Sequence, residues 1–238
     1  RGAWLVAAAV LLLVALPAIS ALIAVERVPR SGDPVPHVAP TRDWTRAEVI
    51  RDPVFYLLLL GVMAPGFIGT TIFFHQVYLV DLRGWSIEVF ASSFTAMAAT
   101  TVTFALLSGQ LIDRFTGVAL LPGFLLPLAA ACFTLGTFEG QWSAFGFMAL
   151  LGLSYGFSST LFGSIWPEIY GTRNLGSIRA LTVAIMVFAT AMGPGLTGYL
   201  IDAGVDYPTQ IVAMGAYCLL VSLVMVYVSR RVRGRAAL

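Results

Sequence analysis

His75 is the only ionisable side chain that stands well inside a long apolar run of this 238-residue chain. Thr71 lies four residues before it, Tyr78 three after and Gln76 beside it, so helical spacing gathers Thr71, His75 and Tyr78 on one polar face. Histidine changes charge near neutral pH, and an ionisable group among apolar residues is costly unless it is partnered or functional. His75 and Gln76 are therefore candidates for contact with a solute or a proton; a hydrogen-bonded structural histidine is the alternative. Tyr155, Ser159 and Trp166 share a face of a second apolar run and could supply a facing wall, with plain packing as the alternative. A different chemistry is offered by Asp113, Arg114, Glu168, Arg173 and Arg179, which stand at the boundaries of apolar runs. Opposite charges on one rim can form an ion-pair network in one of two conformations and so bias the equilibrium between them. The expectation is a five-membered gate of this kind, solvated anchoring charges being the alternative. Arg179, near the start of a helix where a cation is disfavoured, is expected to have an acidic partner.

The elements that must hold these groups follow from composition. Hydrophobic residues make up 58% of the chain and charged residues 11%, against about 25% charged in a soluble domain. With 12% aromatic residues, disorder is excluded as well. An integral membrane protein remains. A spanning helix needs ~20 apolar residues, and seven segments qualify, at about 3–25, 54–80, 89–112, 118–138, 142–166, 178–201 and 208–229. The alternation of a β-barrel is absent. The fold class is thus an all-α polytopic membrane protein with seven transmembrane helices. Its divisions are a first helix (1–25), a polar linker (26–53), a six-helix bundle (54–229) and a basic tail (230–238). The linker begins as a flexible stretch with Pro29, Pro34, Pro36 and Pro40 and ends in a short amphipathic helix over 44–51, suited to a membrane surface. Pro53 fits the first turn of the next helix.

Orientation follows from arginine, since the chain has no lysine. With the linker on one side, that side also receives Arg114, Arg173, Arg179 and the tail, twelve of the 14 arginines in all; Arg1 and Arg83 fall opposite. The asymmetry predicts a cytoplasmic linker and C-terminus. The run Arg230, Arg231, Arg233, Arg235 flanks a spanning helix directly and reads as a cytoplasmic stop, not as a nucleic-acid site. Small residues supply packing surfaces: Gly152, Gly156, Ser159 and Gly163 form one stripe, and Gly61, Pro65 and Gly69 another. The first, fourth and seventh segments carry few polar residues and are expected to face lipid. Hydroxyls of the third segment are expected to bond their own backbone.

Three stretches stand out by motif. They are Gly109-Gln110-Leu111-Ile112-Asp113-Arg114-Phe115-Thr116-Gly117, then Trp166-Pro167-Glu168-Ile169-Tyr170-Gly171-Thr172-Arg173, then Gly193-Pro194-Gly195-Leu196-Thr197-Gly198. Together with the helix layout they resemble the major facilitator superfamily of secondary transporters. The first is similar to its Gly-x-x-x-Asp-Arg loop between helices eight and nine. The second is similar to the Pro-Glu-x-x-x-x-Arg element ending helix ten, and the third to the Gly-Pro-x-x-Gly bend of helix eleven. The resemblance implies that the first segment is helix six and the others helices seven to twelve, so that a further N-terminal half of the polypeptide is expected. It also implies that helices seven and ten line a cavity while six, nine and twelve stay outside. The run 166–179 is most similar to bacterial members near the monocarboxylate-porter branch. The first motif departs from the pattern after Gly117, where Val118-Ala119 replace further basic residues, and the third segment lacks the charges that helix eight of those porters carries.

Other classes fit less well. Without lysine no retinal Schiff base can form. Gly152-Leu153-Ser154-Tyr155-Gly156 has the spacing of a nucleophile elbow, but no strand precedes it. No Walker-type loop is present, and Cys132 and Cys218 read as small buried hydrophobes. No cofactor and no metal is expected. An intramembrane enzyme would need convergent catalytic groups at one depth, and a seven-helix receptor or structural module would need seven as the natural count. The reading is a non-enzymatic carrier in a bacterial inner membrane, moving a small solute, with an organic anion as the candidate class, by ion-driven alternating access. Thr71, His75, Gln76, Tyr155 and Ser159 are its solute contacts, and Asp113, Arg114, Glu168, Arg173 and Arg179 its gate; its partners are the bilayer, the solute and the expected N-terminal half.

Overall fold

A computed structural model of the chain describes residues 2–24 and 42–236, and every regular element among them is helical. The chain divides into two units, Arg1–Ala39 and Pro40–Leu238. The first holds α1 (Gly2–Val10), a π-helical segment (Leu11–Ala15) and α2 (Leu16–Ala24), which continue one another. Pro17 lacks the N–H that would bond the Leu13 carbonyl, and the winding widens just before it, where the Leu16 N–H donates to the Leu11 oxygen. The early linker with Pro29, Pro34, Pro36 and Pro40 lies outside the described residues.

The second unit begins with α3 (Arg46–Arg51), closed by a capping box: Thr45 Oγ1 accepts from the Glu48 N–H, and Glu48 accepts from the Thr45 N–H at 2.8 Å. Asp52 then caps α4 (Pro53–Phe74), whose first residue, Pro53, needs no partner for an N–H. There follow α5 (Gln76–Arg83), α6 (Ile87–Phe115, capped by Ser86), α7 (Gly117–Leu120), a 3₁₀ turn (Leu121–Gly123), α8 (Leu126–Thr137), α9 (Trp142–Tyr170), α10 (Leu175–Asp202) and α11 (Tyr207–Ala236). Six helical stretches of this unit are long and apolar enough to cross a membrane. Because each crossing reverses direction, the unit has two ends. One carries the starts of α4 and α10 and the finishes of α6, α9 and α11; the other carries α5, the starts of α6 and α11 and the finishes of α8 and α10.

Between apolar helices in lipid, association comes from close packing at small residues. α6 lies on α9 at Gly152 and Gly156, where a Cβ would overlap Thr100 and the backbone of Met97 and Thr101. The contact then follows the four-residue row onward through Thr160, whose hydroxyl accepts from Ser108 at 3.0 Å, to Ser164 and Glu168 beside Gly117. Ser159 and Gly163, expected on the same stripe, are instead exposed. α8 meets α11 at Gly136 and Gly215, and α4 meets α10 at Gly193, directly against Thr71. The core runs between these pairs through Leu58, Ile68, Phe124, Leu128, Phe147 and Met225.

One expectation needs correction. The final helix does not stop near 229; it runs to Ala236, so the arginines assigned to a tail are helical. The apolar contacts Met225, Val228 and Val232 carry the helical spacing through that basic stretch. Within this unit, burial does not follow the count of polar residues. The α7–α8 span is 50% buried and α11 39%, whereas α6 and α10 are each 11% buried. Lack of polar groups does not drive a helix outward when its surroundings are equally apolar.

Candidate functional site

His75 sits at a break. α4 ends at Phe74, His75 takes φ −95° and ψ 16°, and α5 begins at Gln76. The His75 backbone N–H still donates to the Thr71 oxygen at 3.1 Å, and Nδ1 lies 3.1 Å from that same oxygen. A carbonyl only accepts, so Nδ1 carries a proton there and Nε2 is the nitrogen left for another partner. The half-buried ring faces Gly198 of α10 and packs 5.5 Å from the Tyr207 ring of α11. Tyr207 is fully buried, and its hydroxyl has no partner among the described residues.

Around this point the expected solute contacts separate onto two sides of α4. Thr71 belongs with His75, but it is fully buried against Gly193 and its hydroxyl donates to the Phe67 oxygen at 2.7 Å, so it offers a solute nothing. Tyr155 meets the opposite side: its phenol lies over Gly69, which leaves space for it, and reaches the Pro65 oxygen at 3.4 Å. Gln76 is half-buried and opens α5, just past the break. Ser159 is exposed on α9 and donates to its own Gly156 oxygen. Trp166 turns away into the core and stacks on Tyr170.

The five gate residues share one end of the unit, yet none forms an ion pair with another among the described residues. Asp113, Arg114, Arg173 and Arg179 are exposed, Arg114 lying over its neighbour Phe115 and Arg179 pointing toward Gly163 without an acidic partner. Glu168 instead accepts from two consecutive backbone amides, Gly117 at 2.8 Å and Val118 at 3.2 Å. Its carboxylate thus caps α7 and fixes the sharp turn at Thr116, a non-glycine residue held at φ 71°. The second and first motifs are joined here through the backbone and not through their charges.

Sequence reasoning missed a polar clasp at the same end. Asp52 is 4% exposed. Arg235 grips it with two bonds of 2.7 Å, the Tyr170 hydroxyl donates to it at 3.1 Å and the Val54 N–H at 3.2 Å. Burial pushes the Asp52 carboxyl up, but the Arg235 and Val54 hydrogen bonds and the Arg235 charge outweigh it and hold the group below its ordinary value. The guanidinium also lies 5.6 Å from the Trp44 ring centre, and Trp44 meets Tyr170 edge-on at 5.5 Å. Next to it, Asp43 accepts from the Thr172 and Arg173 amides at 3.0 and 3.1 Å, and Asn174 donates to the Trp44 oxygen. Gly171 makes this approach possible, because it takes φ 80° and a side chain there would strike Asp43. The segment before α4, the end of α9 and the end of α11 are thereby fastened together.

The comparisons with known proteins agree with this architecture. No curated protein matches the chain. The model of the family described as Major Facilitator Superfamily matches residues 1–194, a stretch that holds the first two motifs and begins the third. With six helices able to span a bilayer and most of its length matched, the chain belongs to the major facilitator superfamily, a family of membrane transporters.

Proposed function

We propose that the chain carries a small solute through the bilayer by alternating access, coupled to an ion gradient, with its clasped end in the cytoplasm of a bacterial cell. The observation that carries the reading is the state of the rim. Asp113, Arg114, Arg173 and Arg179 stand exposed, with no ion pair among the described residues, on a framework that Glu168 and Asp52 hold in place. Charges so placed can pair when a facing surface approaches and separate when it leaves, which is the differential contact a two-state carrier requires. The cytoplasmic placement rests on the arginine asymmetry. The facing surface in this reading is a second helical unit of the same polypeptide, as the motif positions imply.

Solute contact falls to Gln76, to Tyr155 and Ser159 of α9, and to His75 on the other side of α4, with Nε2 of His75, unbonded among the described residues, as the proton or solute contact. Thr71 is withdrawn from this set. An organic anion is the solute class suggested by the likeness to the monocarboxylate-porter branch. Spin-label distances across the rim test the reading. Asp113→Asn should shift the balance between inward- and outward-open populations, whereas unchanged populations would remove the gate.

A further inference from the structure

The outward row of α11 changes chemistry along its length. Leu220, Leu223 and Tyr227 are exposed and stand three and four residues apart, so they share one face. Arg230 and Arg231, also exposed, continue that face by the same spacing. The opposite row, with Met225, Val228 and Val232, is buried in the bundle. Along a spanning helix an outward apolar row meets acyl chains, and a tyrosine at its end sits at the headgroup level. Arg231 Nη1 donates to the Tyr227 hydroxyl at 3.3 Å, which holds the guanidinium beside that level. The start of α4 repeats the arrangement. Tyr56 is exposed, its hydroxyl donates to the Ile50 oxygen at 2.9 Å, and exposed Arg51 lies between the two in sequence. Asp52, next to Arg51, is gripped by Arg235 of α11, so the two basic sets adjoin. Nothing on this face neutralises them. Neither α4 nor α11 contains a carboxylate. The three acids just before α4 are engaged elsewhere: Asp52 in the clasp, Glu48 in its capping box and with Arg42, Asp43 on the Thr172 and Arg173 amides. Arg51, Arg230 and Arg231 make no ion pair among the described residues.

We propose that the face formed by Arg51, Arg230 and Arg231 beside Tyr56 and Tyr227 binds an anionic phospholipid, with the guanidinium groups on its phosphate and the tyrosine rings and Leu223 along its chains. The planar fork of an arginine matches phosphate oxygens, and basic groups that flank a spanning helix draw anionic lipid. Lipid is the occupant because the arginines run on directly from apolar side chains exposed on the same face, which a soluble anion would leave uncovered. The bound lipid joins the segment before α4 to the end of α11, the same two parts that Asp52 and Arg235 join, and so braces the clasp from outside. The site depends neither on the transport reading nor on which leaflet the clasped end faces.

The test places the full chain in nanodiscs of equal parts phosphatidylglycerol and phosphatidylcholine with identical chains, transfers it to detergent and counts the retained lipids by native mass spectrometry. Expected is a preference for phosphatidylglycerol of roughly five-fold, what one arginine near a membrane surface contributes. Arg51→Gln, Arg230→Gln and Arg231→Gln combined should bring the two lipids to parity. Arg114→Gln, Arg173→Gln and Arg179→Gln combined remove the same charge from the same end and should leave the preference unchanged. Circular dichroism identifies a variant that has not folded; Arg231→Gln alone, which should at least halve the preference, then decides. Equal retention of the two lipids by the unaltered chain, or a preference that survives the first combination, would overturn the site. Equal loss in both combinations would replace it with a general effect of net charge. Glycerol phosphate, the headgroup without its chains, should not displace the lipid; displacement would reassign the face to free phosphate.

Discussion

The two ends of the helical unit are built on different principles. At the clasped end, Asp52, Arg235, Tyr170, Trp44, Asp43 and Asn174 bind one another across 118 to 183 residues of chain, and Glu168 holds the α6–α7 turn. At the opposite end a helix breaks at His75, and Tyr207 Oη and Gln210 Oε1 are buried without hydrogen-bond partners among the described residues. The main tie there is Arg83, which donates to the last carbonyls of α8 from Gly136 and Leu135, where a cation is favoured. Its Nη1 also lies 3.7 Å from the Glu139 carboxylate, while Nε has no hydrogen-bond partner among the described residues. In a membrane protein the apolar surfaces decide little about which helices stay together. The end with the larger set of charge-assisted bonds is therefore the more firmly tied one. The end with room and open polar atoms is the one suited to contact ligands.

Removing the clasp should have the largest effect. Breaking a fully buried ion pair costs about 3–5 kcal/mol. The Arg235 side chain is 32% exposed, so we expect about 2–3 kcal/mol for Asp52→Ala, read by equilibrium unfolding in mixed micelles. A loss below 0.5 kcal/mol, about what an ordinary surface substitution gives, would reduce the clasp to a surface contact. The carboxyl titrates below its ordinary 3.8 in the folded protein, so this stabilisation is complete at neutral pH. It should fade only as pH falls through and below about 4, the wild type converging there on the variant. Next comes the α6–α9 contact: Gly156→Leu must push back the Thr101 and Ala105 backbone, a strain of about 1–3 kcal/mol, whereas Gly163→Ala, which meets only Arg179, should be nearly silent in the same assay. Glu168→Gln should cost about 1–2 kcal/mol and speed hydrogen exchange at Gly117 and Val118. Smallest are Arg173→Gln and Arg179→Gln, each within about 0.5 kcal/mol. A larger loss at Arg179 would mean that it is paired in the resting state.

The spans were legible because each is a long apolar run, and Pro53 marked the start of α4 from sequence alone. The reach of α11 was hidden by its arginines, although Met225, Val228, Val232 and Arg235 keep a three- and four-residue spacing that signals a continuing helix. The rim residues were found as types, but their bonds were not. A carboxylate such as Glu168 can satisfy itself on an arginine or on two backbone amides, and only the φ 71° turn at Thr116 makes the amides available. The partner of Asp52 stands 183 residues away, beyond any local pattern. The side of α4 that Thr71 takes depends on the approach of Gly193, which again is set by packing and not by spacing.

The most direct measurement concerns Ser159, which is exposed on the open face of α9 while Cys132 and Cys218 are buried. A Ser159→Cys variant should react with a membrane-impermeant maleimide added from either side of the membrane, and Asp113→Asn should raise one rate as it lowers the other. Reaction from a single side only, unmoved by Asp113→Asn, would contradict alternating access.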